Sequence, residues 1–199
     1  MADNLPFENV LSWQSKFKGS YASLDPEKIA PNAAGSENRS SINKVHFLKP
    51  ETFMNLSGEP VREAAAFFKI KPEAILVVHD ELELPLGTIS LKFGGGLGGH
   101  NGLRSMKACF GTADFWRIRI GIGRPDSRLP GEGGPPGSGE GIIDWVLSNF
   151  NSREEETLKL VFSTAGELVK RVLTEDPQAL LKTWAKKKTE PEPSPDTGG

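Results

Sequence analysis

The alternation of apolar and polar positions predicts strands and helices that follow one another along most of the chain. Residues 75–78 form a short unbroken apolar run, which is typical of a strand buried on both faces. Residues 88–93 and 116–123 predict two further strands, and apolar residues alternate with polar ones in the second of these. Interleaved strands and helices favour an α/β fold, a single three-layer domain in which helices flank a twisted mixed β-sheet.

The remaining elements complete one predicted domain and a tail. Helices are predicted over residues 7–18, after Ser57, and over 101–110, 142–150, 152–173 and 177–186. Two more strands are predicted over 21–24 and 44–48, and loops over 25–41 and 130–141. The helix after Ser57 has a proline in its first turn and an apolar stripe. We assign residues 1–186 to the domain and 187–199 to a disordered tail, because the tail is polar and rich in proline.

Four polar residues, His79, Asp80, Glu81 and Glu83, follow the apolar run of residues 75–78. Ligands bind at the carboxyl ends of strands in open α/β sheets, so this is a candidate site. Asp80 suits a carboxylate that orients a histidine or a water. Alternatively it caps a turn, and the two glutamates are solvated. A metal site is disfavoured, because neighbouring strand residues point to opposite faces and no second cluster completes a coordination shell.

A glycine-rich segment, Gly94–Gly99, follows the next predicted strand and leads into a helix that begins with His100 and Asn101. Glycine lets the backbone approach a ligand closely, and a helix N-terminus favours an anion. The Asn101 amide can both donate and accept, so it is the better binding candidate, whereas a lone histidine is usually structural. A nucleotide-binding enzyme is an alternative hypothesis. It is weak, because no acidic residue follows at the position expected to hold a ribose.

Phe53, Met54 and Asn55 lie in a loop between a predicted strand and the helix after Ser57. Loops on a rigid scaffold are where binding residues concentrate. Core packing is the alternative for Phe53 and the preferred interpretation for Met54, and Asn55 could serve only as a turn residue.

Charge is unevenly distributed in a chain whose net charge is −2. Residues 91–130 hold seven lysines and arginines against two aspartates, or +5, so the remainder carries −7. Such a patch beside the glycine-rich segment favours a phosphate-bearing partner over ordinary charge scatter. Arg117 and Arg119 alternate with isoleucines and should therefore share one face of a strand.

Length and composition exclude several classes of protein. The 199 residues are enough for one domain, and the single cysteine excludes a disulfide framework and a cysteine-rich zinc site. That cysteine usage fits a reducing cytosol. The apolar runs are too short to span a bilayer, and residues 1–10 lack the pattern of a secretory signal.

Three segments together are more specific than any single motif: LKPETFMNLSGEPV, VVHDELELPLGTISLKFGGGLGGHNGLRS and FWRIRIGIGRP. In this order and spacing they resemble the bacterial-type peptidyl-tRNA hydrolase family, over residues 10–185. The resemblance implies cleavage of the ester between a stalled peptide and the terminal ribose of tRNA. It also implies a cytoplasmic monomer with a twisted mixed sheet, with tRNA as partner and no metal or other cofactor.

The resemblance also implies roles for individual residues. Phe53 and Asn55 correspond to substrate contacts, with Asn55 holding the attacking water or the substrate carbonyl. Asp80 corresponds to the carboxylate that polarises the catalytic histidine, and Asn101 to the amide that grips the junction between peptide and tRNA. The basic residues Lys92, Arg104 and Arg117 fit, in a general way, the face that contacts phosphates.

The family opens with G-x-G-N-P-G and then T-R-H-N, whose histidine is the general base, and this sequence contains neither motif. We therefore expect an N-terminally incomplete domain. Its histidines, His46, His79 and His100, lie in other contexts. Asp80 alone would have to activate water, which requires burial to raise its pKa. A catalytically impaired tRNA-binding paralogue is the alternative.

Overall fold

The computed structural model describes residues 8–29, 43–124, 139–184 and 187–189, and these ranges contain seven strands and six helices. The strands are β1 (Gln14–Lys16), β2 (Gly19–Leu24), β3 (Val45–Pro50), β4 (Leu76–Glu81), β5 (Thr88–Phe93), β6 (Trp116–Gly121) and β7 (Lys187–Lys188). The helices are α1 (Pro26–Ile29), α2 (Gly58–Phe68), α3 (Asn101–Phe110), α4 (Gly139–Leu147), α5 (Ser152–Thr174) and α6 (Pro177–Thr183). Short 3₁₀ turns cover Glu8–Val10, Met54–Leu56 and Pro72–Ala74.

The predicted mixed sheet is confirmed, and its strands run in the order β4-β6-β5-β7. Strand β4 is parallel to β6, while β5 is antiparallel to both β6 and β7. A second, antiparallel sheet has the order β1-β2-β3, so the described strands form two sheets instead of one. Helices flank these sheets, which agrees with the predicted α/β class.

Alternate residues of β4 belong to two different cores, and this places a helical layer on each face of the four-stranded sheet. Leu76 and Val78 pack against the larger core, which joins the sheet to α5. Ile75 and Val77 pack against the smaller core, formed by Leu103, Met106 and Phe115 around α3. The larger core contains buried residues from both the sheet and α5, among them Ile89, Leu91, Ile118, Ile120, Val161, Ala165 and Leu168. The result is the predicted three-layer arrangement.

Helices α2 and α3 pack closely where Gly58 meets Ser105. The Gly58 N–H donates to the Ser105 hydroxyl over 2.9 Å. A Cβ at position 58 would lie 2.4 Å from the Ser105 carbonyl oxygen, so only glycine allows this approach. The contact fixes the N-terminal turn of α2 against α3, and the loop that precedes α2 is carried with it.

The predicted helix over residues 7–18 is wrong in its described part. A 3₁₀ turn is followed by β1 and a hairpin whose two-residue turn is Phe17 and Lys18, with φ of 55° and 51°. Paired positive φ values match the right-handed twist of a hairpin and are incompatible with a continuing α-helix. The apolar spacing there reflects instead the burial of Phe17 against Tyr21 and Ala64.

The tail prediction is wrong at its first residues. Lys187 and Lys188 form β7 and pair with Ile89 and Thr88 of β5, and the Thr189 N–H donates to the Gly87 carbonyl over 2.7 Å. The open edge of β5 supplies hydrogen-bonding groups that a polar segment can satisfy as well as an apolar one. Residues 190–199, and most of the loops predicted over 25–41 and 130–141, lie outside the described residues.

Candidate active site

Strand β4 is longer than predicted and carries Asp80 within it, at the penultimate position. Parallel pairing with β6 places Asp80 opposite Ile120. The Asp80 side chain keeps 33% of its surface exposed. Asp80 therefore lies on a rigid strand near its carboxyl end and remains accessible to a ligand.

The structure pairs Asp80 with His100, a pairing that the sequence did not reveal. His100 Nε2 lies 3.1 Å from Asp80 Oδ1. On the other side of the ring, Nδ1 accepts from the N–H groups of Gly102 and Leu103, at 3.1 and 3.3 Å. Because Nδ1 acts as an acceptor, the ring hydrogen belongs on Nε2, which donates to Asp80. His100 thus caps α3 and orients the carboxylate at the same time.

The hydrogen bond from His100 lowers the pKa of Asp80 below its ordinary value, although burial opposes the shift. A carboxylate is a stronger base when its pKa is high, so this direction weakens Asp80 as a proton acceptor. The condition set by the sequence, that burial should raise this pKa, is not met. Asp80 is held ionised, which suits a group that orients a water or stabilises positive charge.

The other two histidines are also engaged. His79 is buried, its Nδ1 donates to the Asp80 carbonyl over 2.6 Å, and burial lowers its pKa to about 4. His46 Nδ1 lies 2.8 Å from the Tyr21 hydroxyl, and its ring stacks on Phe68. His79 Nε2 has no hydrogen-bond partner among the described residues, but the ring is buried next to His100, and the two ring centroids lie 5.0 Å apart. No histidine presents a free ring nitrogen to solvent beside Asp80 in the described part of the chain.

The 3₁₀ turn Met54–Leu56, which contains Asn55, packs against α3. A Cβ at Gly102 would lie 2.8 Å from Met54 Sδ and 3.0 Å from His100 Cε1, so the methionine sulfur rests beside the histidine ring. Both Asn55 and Asn101 are exposed. Met54 therefore lies near His100, and two accessible amides belong to the turn and to the first residue of α3.

Phe53 and Met54 do not pack into the core. Phe53 is 82% exposed and Met54 is 55% exposed, which overturns the preferred core interpretation of Met54. Exposed apolar side chains beside a polar site are expected where a substrate with apolar groups binds. Their position is consistent with the substrate contact expected of Phe53.

The glycine-rich segment is held at three points. The Gly94 N–H donates to the Phe115 carbonyl, Arg117 Nη1 donates to the Gly96 carbonyl over 2.8 Å, and the His100 N–H donates to the Leu97 carbonyl. Because the His100 ring already accepts from the N–H groups of Gly102 and Leu103, these two donors are not available to a nucleotide phosphate. The geometry therefore disfavours the nucleotide hypothesis.

The basic residues differ in accessibility. Arg104 is exposed and Lys92 is partly exposed, whereas Arg117 is 1% exposed and cannot contact a phosphate as expected. Arg119 pairs with Glu81 over 2.9 Å, so Glu81 is buried and paired, not solvated as the sequence suggested. Burial and the two neighbouring arginines lower the pKa of Lys92.

Within the described ranges, no group of three or more histidine, cysteine, aspartate or glutamate side chains is arranged to hold a metal ion. Nor does any described helix combine the length and apolar character needed to cross a membrane.

Comparison with known proteins gives a consistent result. A family model described as peptidyl-tRNA hydrolase matches residues 4–192. The peptidyl-tRNA hydrolase of Treponema pallidum is 43% identical over 182 residues, which cover 90% of this chain and 80% of that protein. The one from Rhodospirillum centenum is 53% identical over 116 residues, 58% of this chain and 46% of that protein. A crystal structure of the Acinetobacter baumannii peptidyl-tRNA hydrolase is similar with a TM-score of 0.66 at 32% identity, covering 92% of this chain and 76% of that one.

Proposed function

The chain belongs to the peptidyl-tRNA hydrolase family, and on that premise we propose that it hydrolyses the ester between the peptide and the terminal ribose of peptidyl-tRNA. The reaction frees tRNA from stalled translation. The observation that carries the proposal is the pairing of Asp80 with His100, the residue directly before the exposed Asn101. We place the protein in the cytoplasm, acting as a monomer without metal.

Each polar group of the site has a role in this reaction. Asp80 accepts from His100 with one oxygen, and its carboxylate orients the attacking water. Asn55 and Asn101 can each donate to a developing oxyanion or accept from a ribose hydroxyl, because an amide offers both functions. The exposed Phe53 ring offers an apolar surface to the peptide side chain next to the ester.

The general base is the weak part of the site, and we propose that none of the three histidines supplies it. His100 uses both ring nitrogens, His79 is buried, and His46 is bonded to Tyr21. Asp80 alone is then a poor base, because its pKa is lowered. Loss of a general base costs about 10²–10⁴-fold in rate, so we expect slow turnover by this chain.

The phosphates of tRNA are proposed to lie along the surface that carries Lys92 and Arg104. Both side chains reach solvent. Lys92 lies just before the glycine-rich segment, and Arg104 lies in α3, the helix that follows it. Arg117 belongs beneath that surface, not on it. Contacts of this kind release counterions and make binding salt-sensitive.

The proposal is tested by release of deacylated tRNA from an N-acetylated aminoacyl-tRNA under single-turnover conditions. We expect slow release that is abolished in Asp80→Asn and unchanged in Arg153→Ala, an exposed arginine on α5. A fusion that places the family's G-x-G-N-P-G and T-R-H-N segment ahead of Met1 should act about 10²–10⁴-fold faster. If both the chain and the fusion are inert, the enzymatic function is wrong.

A second function is favoured by the same engaged histidines, namely that of a catalytically impaired tRNA-binding protein. It requires salt-dependent affinity for deacylated tRNA with no ester cleavage by the chain. Fluorescence anisotropy over a range of salt concentrations measures this affinity, which both functions require and a chain without either function lacks. An affinity that does not change with salt would contradict the hypothesis of tRNA binding.

A further inference from the structure

Arg117 is the largest fully buried side chain of the described residues, yet it is charged. It lies in β6, opposite Val77 of β4 and Lys92 of β5. A buried guanidinium is costly unless its donors are satisfied. Among the described residues, Nη1 donates to the Gly96 carbonyl, while Nε and Nη2 have no hydrogen-bond partner. Such a group is poorly explained as a contribution to stability.

The single hydrogen bond of Arg117 falls at the middle of the glycine-rich segment. Gly94 and Gly95 before this point, and Gly98 and Gly99 after it, have positive φ values between 57° and 82°. Glycine loses more conformational freedom on ordering than any other residue. A glycine-rich segment therefore adopts a single conformation only when hydrogen bonds to the rest of the protein hold it. The main-chain bonds at Gly94 and His100 hold the two ends, and Arg117 holds the centre.

The neighbours of the guanidinium fit this function. A Cβ on Gly95 would lie 3.2 Å from Lys92 Cε and 3.8 Å from Arg117 Nη2, so Gly95 lies close to both basic side chains. Arg119, on the same face of β6, binds Glu81, whose carboxylate lies against Gly98. The two arginines together support both halves of the segment that leads to His100 and Asn101.

We propose that Arg117 is a positioning residue, which fixes the Gly96 carbonyl and thereby sets the placement of His100 and Asn101 in the active site. The proposal rests on the proposed hydrolase function. A displacement of about 1 Å at a reacting group can cost about 10²-fold in rate. We therefore expect Arg117→Met to lower kcat by about 10–100-fold with little change in KM, since Arg117 does not touch tRNA.

The test uses the full chain with Arg117→Met, Arg117→Lys and Arg117→Ala, and Arg153→Ala as the matched loss of an exposed arginine. Hydrogen exchange measured by mass spectrometry should accelerate over residues 94–101 and stay unchanged over β4 and β6. Methylguanidinium should restore both kcat and the protection of residues 94–101 in Arg117→Ala, whereas ammonium should not. If Arg117→Met and Arg117→Ala do not fold, hydrogen exchange over residues 94–101 is measured in Arg117→Lys, which keeps the charge.

A second-site change sharpens the test. Nothing lies within 4 Å of a Cβ added at Gly96, and its φ is not positive, so Gly96→Ala should stiffen the segment without a clash. It should recover part of the kcat lost in Arg117→Lys. Unchanged kcat in Arg117→Met and Arg117→Lys, or exchange that accelerates equally in β4, β6 and the segment, would overturn the proposal. A wild-type chain without activity would count against the proposed function only, because exchange and its methylguanidinium rescue are read without substrate.

Discussion

The His100 ring bridges Asp80 and the first turn of α3, with Nε2 donating to the carboxylate over 3.1 Å and Nδ1 accepting from two main-chain N–H groups. One side chain therefore sets both the helix cap and the ionisation of the carboxylate. Strand β4 and helix α3 are joined at the point where the proposed chemistry takes place. The orientation of Asp80 depends on the integrity of that cap.

His100→Asn should separate these two functions, because asparagine is a good N-cap but is too short to reach Asp80. The fold should persist, while the pKa of Asp80 should rise towards its ordinary value, since the bond from His100 is the main cause of the lowering. NMR titration of the Asp80 carboxyl carbon measures this shift. His46→Asn, in a different cluster, is the control and should leave the Asp80 titration in place. An equal shift in both variants would contradict this account of Asp80.

The stability of the protein should fall as pH drops from 6.5 towards 4 because of His79. Burial lowers its pKa from 6.5 to about 4, so the unfolded chain takes up a proton in this window that the folded protein does not. The contribution is complete above pH 6.5, and the loss approaches about 3 kcal/mol at the lower end. Urea unfolding at several pH values measures the slope.

His79→Asn keeps a donor for the Asp80 carbonyl but does not titrate in this range, so its unfolding free energy should fall less steeply with pH. His46 contributes a slope of the same sign, because burial also lowers its pKa. His46→Gln therefore provides the comparison. Identical pH slopes in the wild type and His79→Asn would show that His79 is not the group responsible.

Gly58→Ala should destabilise the protein and disturb the site together. The added Cβ would meet the Ser105 carbonyl oxygen at 2.4 Å and the Met106 nitrogen at 2.7 Å, and neither backbone atom can move freely. Overpacking of this kind costs about 1–3 kcal/mol or more. Because α2 must shift relative to α3, the proposed contacts of Asn55 should weaken and KM should rise. Thermal unfolding and steady-state kinetics measure the two effects, and Gly96→Ala, which adds a Cβ without a clash, is the control for thermal unfolding.

Binding of tRNA should become less salt-dependent when Lys92 or Arg104 is replaced by alanine. Each lost phosphate contact lowers the slope of log affinity against log salt by about one. Fluorescence anisotropy with deacylated tRNA gives the slopes, and Arg153→Ala should not alter them. Slopes that match the wild type in both variants would place the tRNA elsewhere on the surface.

Sequence patterns predicted the elements that are regular and strongly apolar. Strand β5 and helix α3 have the predicted bounds, because each has clear periodicity and is bordered by glycine. Strand β4 continues through Asp80, which the apolar run alone could not indicate. The first predicted helix failed because the chain reverses at Phe17 and Lys18, where Phe17 packs against the rings of Tyr21, Phe67 and Phe68.

The composition of the site was only partly readable from the sequence. Asp80 and Asn101 were proposed as site residues from their positions at element ends. The partner of Asp80 was not predicted, because His100 lies 20 residues away and their contact depends on how α3 crosses β4. The resemblance placed Arg117 on the face that contacts phosphates, but the side chain is buried. The alternation with isoleucine indicated that Arg117 and Arg119 share one face of a strand, but the contact of that face with Gly96 depends on the fold.

Strand β7 has a practical consequence for anyone designing a shorter version of this protein. Cutting after residue 186, where composition alone suggests a natural end, would strip Lys187 and Lys188 from the outer side of β5. The backbone groups thus uncovered would be available to another molecule's strand, inviting self-association on storage. A truncation that retains residues up to Thr189 preserves this covering pair and the bond to Gly87.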